Sequence, residues 1–214
     1  MKSKLSAFIL KNKVLIGINL LGFYLFAKIA EDVIKKEYIL MIDRWIDTHI
    51  NVVQTPLLTN FMVTVSNFNG AMGIFIFSLL MILFLIYKRW YNDLLFYVIS
   101  VSGANIAFIT IKMFVQRARP NSDILSITTH SFPSGHATMA TAMAVAVYFI
   151  FVKRIDSKSM HLFLYLFCAT WIGMIAFSRI YLDVHWLSDV IAGIGLGIFW
   201  VTFVVLVKRF MHSV

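Results

Sequence analysis

The sequence predicts an all-α, polytopic membrane fold: six transmembrane helices, with a short interfacial helical segment between the first two. Three observations lead there. Hydrophobic residues make up 60% of the 214 and charged residues only 14%, with a mean hydropathy of +0.84, far from a soluble composition. Windows of about 16 to 18 mainly apolar residues, near the lower end of what crosses a hydrocarbon core, recur along the chain. Lys and Arg gather in alternate connections between those windows.

The first window, residues 14–30, follows a basic start (Lys2, Lys4, Lys11, Lys13). Glu31 and Asp32 follow it, and Lys28 stands where a signal peptidase needs a small residue, so an uncleaved anchor is expected. The connection from Glu31 to Gly70 is too long for an ordinary loop. Its stretch from Tyr38 to Met62 mixes Ile42, Trp45, Ile46, Ile50, Val53 and Leu57 with Asp43, Arg44, Asp47 and Asn51. That mixture suits one or two helices in the outer interface, flanking a cleft and guiding a lipid tail. The remaining windows are residues 71–87, 94–111, 137–152, 162–177 and 190–207. No repeat, low-complexity tract or Pro/Gly linker divides the chain, so one membrane domain over residues 1–214 is expected.

The only cysteine, Cys168, falls inside the fifth window and can form no intramolecular disulfide; a packing role is expected. Asn19, Ser102 and Asn105, inside spans, are expected to bond between helices. Gly193, Gly195 and Gly197 in the last span suit close helix packing, within the monomer rather than between subunits.

With six spans, the N-terminal cluster, Lys88-Arg89, Lys153-Arg154 with Lys158, and Lys208-Arg209 all fall on one face. That face holds 11 Lys/Arg against Asp93 and Asp156, a net of +9, and the other face holds 8 against 8. The formal charge of +9 is therefore a topology signal, and nucleic-acid binding is not needed to explain it. Both termini are expected in the cytoplasm.

Three short stretches at span ends on the opposite, extracytoplasmic side hold nearly all the residues fit for chemistry: Lys112 to Arg119-Pro120, Pro133-Ser134-Gly135-His136, and Ser178-Arg179 through His185 to Asp189. Two histidines, three cations and one carboxylate suffice to hold a tetrahedral oxyanion, attack it with one imidazole and protonate its leaving group with the other. Ser134-Gly135-His136 opens a helix, where unpaired N–H groups attract anions and Gly135 lets the backbone come close; an N-cap by Ser134 is the simpler reading of that residue. His185 and Asp189, four apart, share a helix face, so the carboxylate can hold one ring nitrogen as N–H and leave the other free. Arg179, Lys112 and Arg119 suit phosphate oxygens. At headgroup depth, the expected substrate is a lipid that carries phosphate.

Lys112 with six residues before Arg119-Pro120, Pro133-Ser134-Gly135-His136, and Ser178-Arg179 with five residues, His185, three residues and Asp189 resemble the three signature blocks of the type 2 phosphatidic acid phosphatase superfamily, complete and in order. The resemblance implies a hydrolase without metal or other cofactor, working through a phosphohistidine. It assigns His185 as nucleophile, Asp189 as its orienting partner and His136 as general acid, then base. Lys112, Arg119, Ser134, Gly135 and Arg179 become phosphate ligands. Short six-span relatives point to undecaprenyl diphosphate or phosphatidylglycerophosphate in a cell membrane, more loosely phosphatidic acid, with no obligate protein partner. A phosphotransferase using the same intermediate and a non-catalytic lipid transporter are the alternatives; six spans argue against a vanadium haloperoxidase. His130 is expected to be a solvated loop residue. Arg117 is set outside the site, as a headgroup or second-phosphate contact. His49, His161 and His212 carry no expectation.

Overall fold

The apolar windows fold as helices that outrun most of them at both ends. In this computed structural model residues 2–122, 124, 125 and 128–211 are described, with side chains from Leu5 onward; His212 and the side chains of Lys2 and Lys4 lie outside the described residues. Helix α1 (Lys2–Lys35) continues past the predicted end at residue 30. Ion pairs one turn apart, Lys28 to Asp32 at 2.6 Å and Lys35 to Glu31 at 2.5 Å, support that polar extension.

The long connection folds as α2 (Ile39–His49), a 3-10 turn (Ile50–Val53) and α3 (Pro56–Phe68). The Thr55 hydroxyl accepts the Leu58 N–H at 3.4 Å, and Pro56 occupies the first helical position, where no donor is needed. Helix α4 (Ala71–Tyr87) follows α3 after a 48° bend. Then come α5 (Tyr91–Val115), α6 (Gly135–Phe151) with a 3-10 turn (Val152–Arg154), α7 (Lys158–Tyr181) and α8 (Leu187–Met211).

Among the described residues, five helices are long and apolar enough to cross a membrane: α1, α5, α6, α7 and α8. Helix α4, 17 residues long, makes a sixth span only when joined to α3 across the bend. Helix α6 sits at the centre, against α5, α7 and α8, and α1 lies along α8. Its alanines make this possible, since Ala137, Ala140, Ala142 and Ala146 expose no surface. Cβ atoms added at Gly193 and Gly197 would meet the Ser134 carbonyl oxygen and the Thr141 Cβ at 2.7 Å, and one at Gly195 the Gly22 carbonyl oxygen at 2.9 Å. These glycines therefore bring α8 against α6 and α1 within one chain.

Asn19 bonds across helices as expected, to the Phe199 carbonyl at 2.8 Å and Thr202 at 2.9 Å. Ser102 does not: its hydroxyl returns to the Val98 carbonyl of its own helix at 2.6 Å. Asn105 makes no interhelical hydrogen bond among the described residues. Cys168 is buried, with its thiol 3.5 Å from the Ala144 carbonyl.

Helix α2 is amphipathic, yet its faces are placed differently from those of a helix on a soluble protein. Asp43 is buried against the start of α8, while Met41, Ile42 and Trp45 point outward. A protein surrounded by lipid can leave apolar side chains outside at no cost and must give an inward carboxylate polar partners.

Candidate active site

Four helix ends meet at one end of the bundle. They are the last turn of α5 with Lys112, the first turn of α6 with His136, the last turn of α7 with Arg179, and the first turn of α8 with Asp189. The Ser134 N–H donates to the Asp189 carbonyl at 3.0 Å and so ties the starts of α6 and α8 together. Ser134 is also the N-cap of α6, its hydroxyl accepting the Ala137 N–H at 3.4 Å, which is the simpler of the two readings given to it. A Cβ on Gly135 would stand 2.9 Å from the Phe108 ring, so glycine lets α5 and α6 close up beside the site.

His185 lies in the short turn between α7 and α8, with 3% of its surface exposed. Its Nδ1 is 3.3 Å from Asp189 Oδ2, and its Nε2 is 3.0 Å from Arg119 Nη1. A guanidinium only donates, so Nε2 is the unprotonated nitrogen and Nδ1 carries the hydrogen that Asp189 accepts. Burial, and the charges of Arg119, Arg179 and Lys112, push the imidazole well below its usual range and keep it neutral. The site thus presents one unprotonated imidazole nitrogen, held by the Arg119 N–H, in a cationic surrounding. The same charges act on His136, whose backbone carbonyl accepts the Asn69 side-chain N–H at 2.9 Å.

Arg119 reaches this place through the loop after α5. Its Nε donates to the Thr129 carbonyl at 2.6 Å, and other N–H groups to Val184, His130 and the Thr129 hydroxyl. Burial lowers its pKa, although a guanidinium stays charged. His130 itself is exposed in that loop, as expected. Arg179 is 3% exposed; one of its nitrogens donates to Ser66 on α3, and its buried Nε has no partner. Lys112 lies 5.9 Å from the Phe108 ring centre.

Among the described residues none of Lys112, Arg119 and Arg179 is paired with a carboxylate. The nearby carboxylate is already engaged: Asp189 Oδ1 accepts from Arg117 at 2.6 Å, and Oδ2 accepts the Trp186 N–H at 3.1 Å besides facing His185. Three cations in and around a buried site, with an orphaned N–H among them, make a receptor for an anion. Among the described residues no three His, Cys, Asp or Glu side chains gather as metal ligands would.

Arg117 needs correcting. It faces inward, away from any headgroup role, and joins Asp189 to Asp43, whose Oδ2 it reaches at 2.7 Å. Asp43 in turn accepts the Ser188 N–H at 2.9 Å and the Ser188 hydroxyl at 2.5 Å. Neither residue was legible as part of the site, because Asp43 is 74 residues from Arg117 and 145 from Ser188. The one available signal was an acidic residue and an arginine, each inside otherwise apolar or motif-bearing stretches.

The fold has solved counterparts. The crystal structure of a transmembrane PAP2 type phosphatidylglycerolphosphate phosphatase from Bacillus subtilis superposes with a TM-score of 0.75 over 94% of this chain and 96% of that one, at 22% identity. Aquifex aeolicus LpxE does so with a TM-score of 0.56 over 78% and 93%, also at 22%. Phosphatidylglycerophosphatase B of Bacillus subtilis is 30% identical over 90 residues, 41% of this chain and 44% of that protein. Lipid A 4'-phosphatase of Porphyromonas gingivalis is 28% identical over 202 residues, 83% and 77% of the two chains. Lipid A 1-phosphatase of Rhizobium johnstonii is 30% identical over 125 residues, 52% and 46%. The chain thus spans about half the length of two of these three relatives. The family model described as the PAP2 superfamily matches residues 90–211, a stretch that takes in all four converging helix ends, both histidines and the three unpaired cations. By that match over more than half of its length, the chain belongs to the PAP2 superfamily.

Proposed function

We propose that this protein is a membrane lipid phosphatase that transfers a phosphoryl group from a phosphorylated lipid to His185 and then to water. One observation carries the reading. Lys112, Arg119 and Arg179 surround a neutral, buried imidazole whose unprotonated Nε2 faces the cations, with no carboxylate to balance them among the described residues. Arg119 now stands against Nε2, where a phosphate oxygen would take its hydrogen bond and leave the lone pair facing phosphorus.

In the first step Nε2 attacks phosphorus in line, the bond to the lipid oxygen breaks, and His136, which takes up a proton once the bound phosphate offsets the neighbouring cations, gives that oxygen its proton. The imidazole becomes cationic as the N–P bond forms, and Asp189 stabilises it through the Nδ1 hydrogen. In the second step His136 takes a proton from water, the water oxygen bonds to phosphorus, and the N–P bond breaks to release phosphate. The three fixed cations neutralise the phosphoryl oxygens, as metal ions do in many phosphoryl-transfer sites.

The domain is taken to be single and membrane-embedded. Its basic end is in the cytoplasm with both termini, and its site is on the extracytoplasmic side. Helix α2 lies in the outer interface. An apolar cleft of about 380 Å³ between α4, α6 and α7 is lined in part by Asn69, the residue bonded to the His136 backbone, and suits an acyl or prenyl chain. Undecaprenyl diphosphate and phosphatidylglycerophosphate are the favoured substrates; the lipid A phosphatases among the relatives add a third candidate.

The test is phosphate release by the detergent-purified chain, with EDTA present, from these lipids and from phosphatidic acid. Release that His185→Ala abolishes is the expected result. No release from any lipid by folded protein, or transfer of the phosphate to another lipid hydroxyl, would overturn hydrolysis.

A further inference from the structure

A cavity lined by both charged and apolar side chains lies at the other end of the bundle. Asp93, in the first turn of α5, and Lys112, in its last, are separated by roughly 28 Å along the helix. The cavity, about 510 Å³, opens among α1, α5, α6 and α8 beside Asp93. Its charged lining holds Lys11, Lys153, Lys208 and Arg209, with Asp93 as the only acidic member among the described residues.

Asp93 is 3% exposed and gathers the cations: Lys153 reaches Oδ1 at 2.5 Å, Arg154 reaches Oδ2, and Lys208 stands 3.4 Å from Oδ1. Arg209 meets only the uncharged side-chain oxygen of Asn12, at 2.8 Å. Three cations thus share the Asp93 carboxylate, and among the described residues Lys11 and Arg209, which line the same cavity, form no ion pair. A topology signal alone requires basic residues on this side of the membrane; it does not require them to converge on a cavity whose other walls are Phe8, Phe96, Phe149 and Val205. On α5, α6 and α8 the charged lining residues stand nearer the helix end than the apolar ones (Asp93 against Phe96, Lys153 against Phe149, Lys208 and Arg209 against Val205), an order that matches a phosphate headgroup with chains running along the helices.

We infer that this cavity binds the headgroup of an anionic glycerophospholipid, in the leaflet opposite the His185 site. The bound phosphate supplies the negative charge that Asp93 alone does not, and the chains cover the aromatic walls. The inference stands whether or not His185 is a nucleophile, because it is read from binding.

Binding of dioleoylphosphatidylglycerol to the full detergent-solubilised chain, followed by native mass spectrometry and by the shift of thermal unfolding, tests it. The dioleoylphosphatidylcholine arm asks for charge, and an inorganic phosphate arm asks whether the chains matter. Lys11→Gln with Arg209→Gln, both at exposed positions, is expected to weaken phosphatidylglycerol binding about thirtyfold, at about fivefold per cation. Lys88→Gln with Lys158→Gln, exposed on the same side but outside the cavity, is expected to change it less than about twofold. Equal weakening by the two pairs would reduce the site to a diffuse basic surface and overturn the inference. So would equal binding of phosphatidylcholine, or full competition by inorganic phosphate, which would mark a site for the bare anion.

Discussion

At the scale of single residues, the state of His185 makes a prediction about pH. The proposed mechanism requires an unprotonated Nε2, and burial with three neighbouring cations holds the pKa well below the ordinary imidazole range. The neutral form therefore persists as pH falls, and the acid limb of kcat/KM is expected below about 6.5. Replacing one cation, Lys112→Met, removes a charge that opposes protonation. The limb should move to higher pH while kcat/KM falls about a hundredfold or more; a limb that stays in place would show that Lys112 does not face the imidazole. The buried chain Asp43, Arg117, Asp189 makes a second prediction. Arg117→Ala leaves two buried carboxylates uncompensated and is expected to cost about 3–5 kcal/mol of stability, seen as lowered thermal unfolding in detergent. Asp43→Asn keeps an acceptor for Ser188, and is expected to lower kcat more than it raises KM.

Among whole elements, α2 was the hardest to read. Its alternation of Ile42, Trp45 and Ile46 with Asp43 and Asp47 marked an amphipathic helix, but periodicity does not say which face turns inward. In water the apolar face would be the buried one; here Asp43 is buried and Trp45 is exposed, the arrangement that a lipid surrounding favours. Helix ends were misjudged for a related reason. Hydropathy windows stop where charges begin, whereas α1 runs on to Lys35 on ion pairs that lie beyond its apolar window. The motif residues, by contrast, were legible, since Lys112, Arg119, His136, Arg179, His185 and Asp189 are polar groups at span ends and connections that hydropathy leaves unexplained. If α2 guides the lipid tail, converting Met41, Ile42 and Trp45 to Ser should lower turnover of long-chain lipid phosphates at least about tenfold and leave a soluble phosphate monoester unaffected. Equal loss on both substrates would mean a structural role. Gly195→Val tests the packing of α8 on α1, with an expected cost of about 1–3 kcal/mol in the same unfolding assay.

For the molecule as a whole, the number of spans was readable only up to one bend. Residues 71–87 match α4 closely, but the 48° turn after α3 decides whether that helix crosses alone or with its predecessor. Orientation is testable with single cysteines, since the native Cys168 is buried. In intact cells an impermeant maleimide should label His130→Cys, and should label Asp156→Cys only after permeabilisation; both positions are exposed. The reverse pattern would place the site in the cytoplasm.

The clamp on Asp189 also sets an order for biosynthesis. Asp43 is made in the first quarter of the chain, Arg117 near its middle, and Ser188 and Asp189 with the last helix. Since chains emerge N-terminus first, the carboxylate of α2 waits for Arg117 until α5 is made and for Ser188 until α8 is made. A chain truncated after Tyr181 should therefore leave α2 undocked and open to protease, while the finished chain protects it. Emergence of α8 is thus the event that docks α2 and closes this end of the bundle.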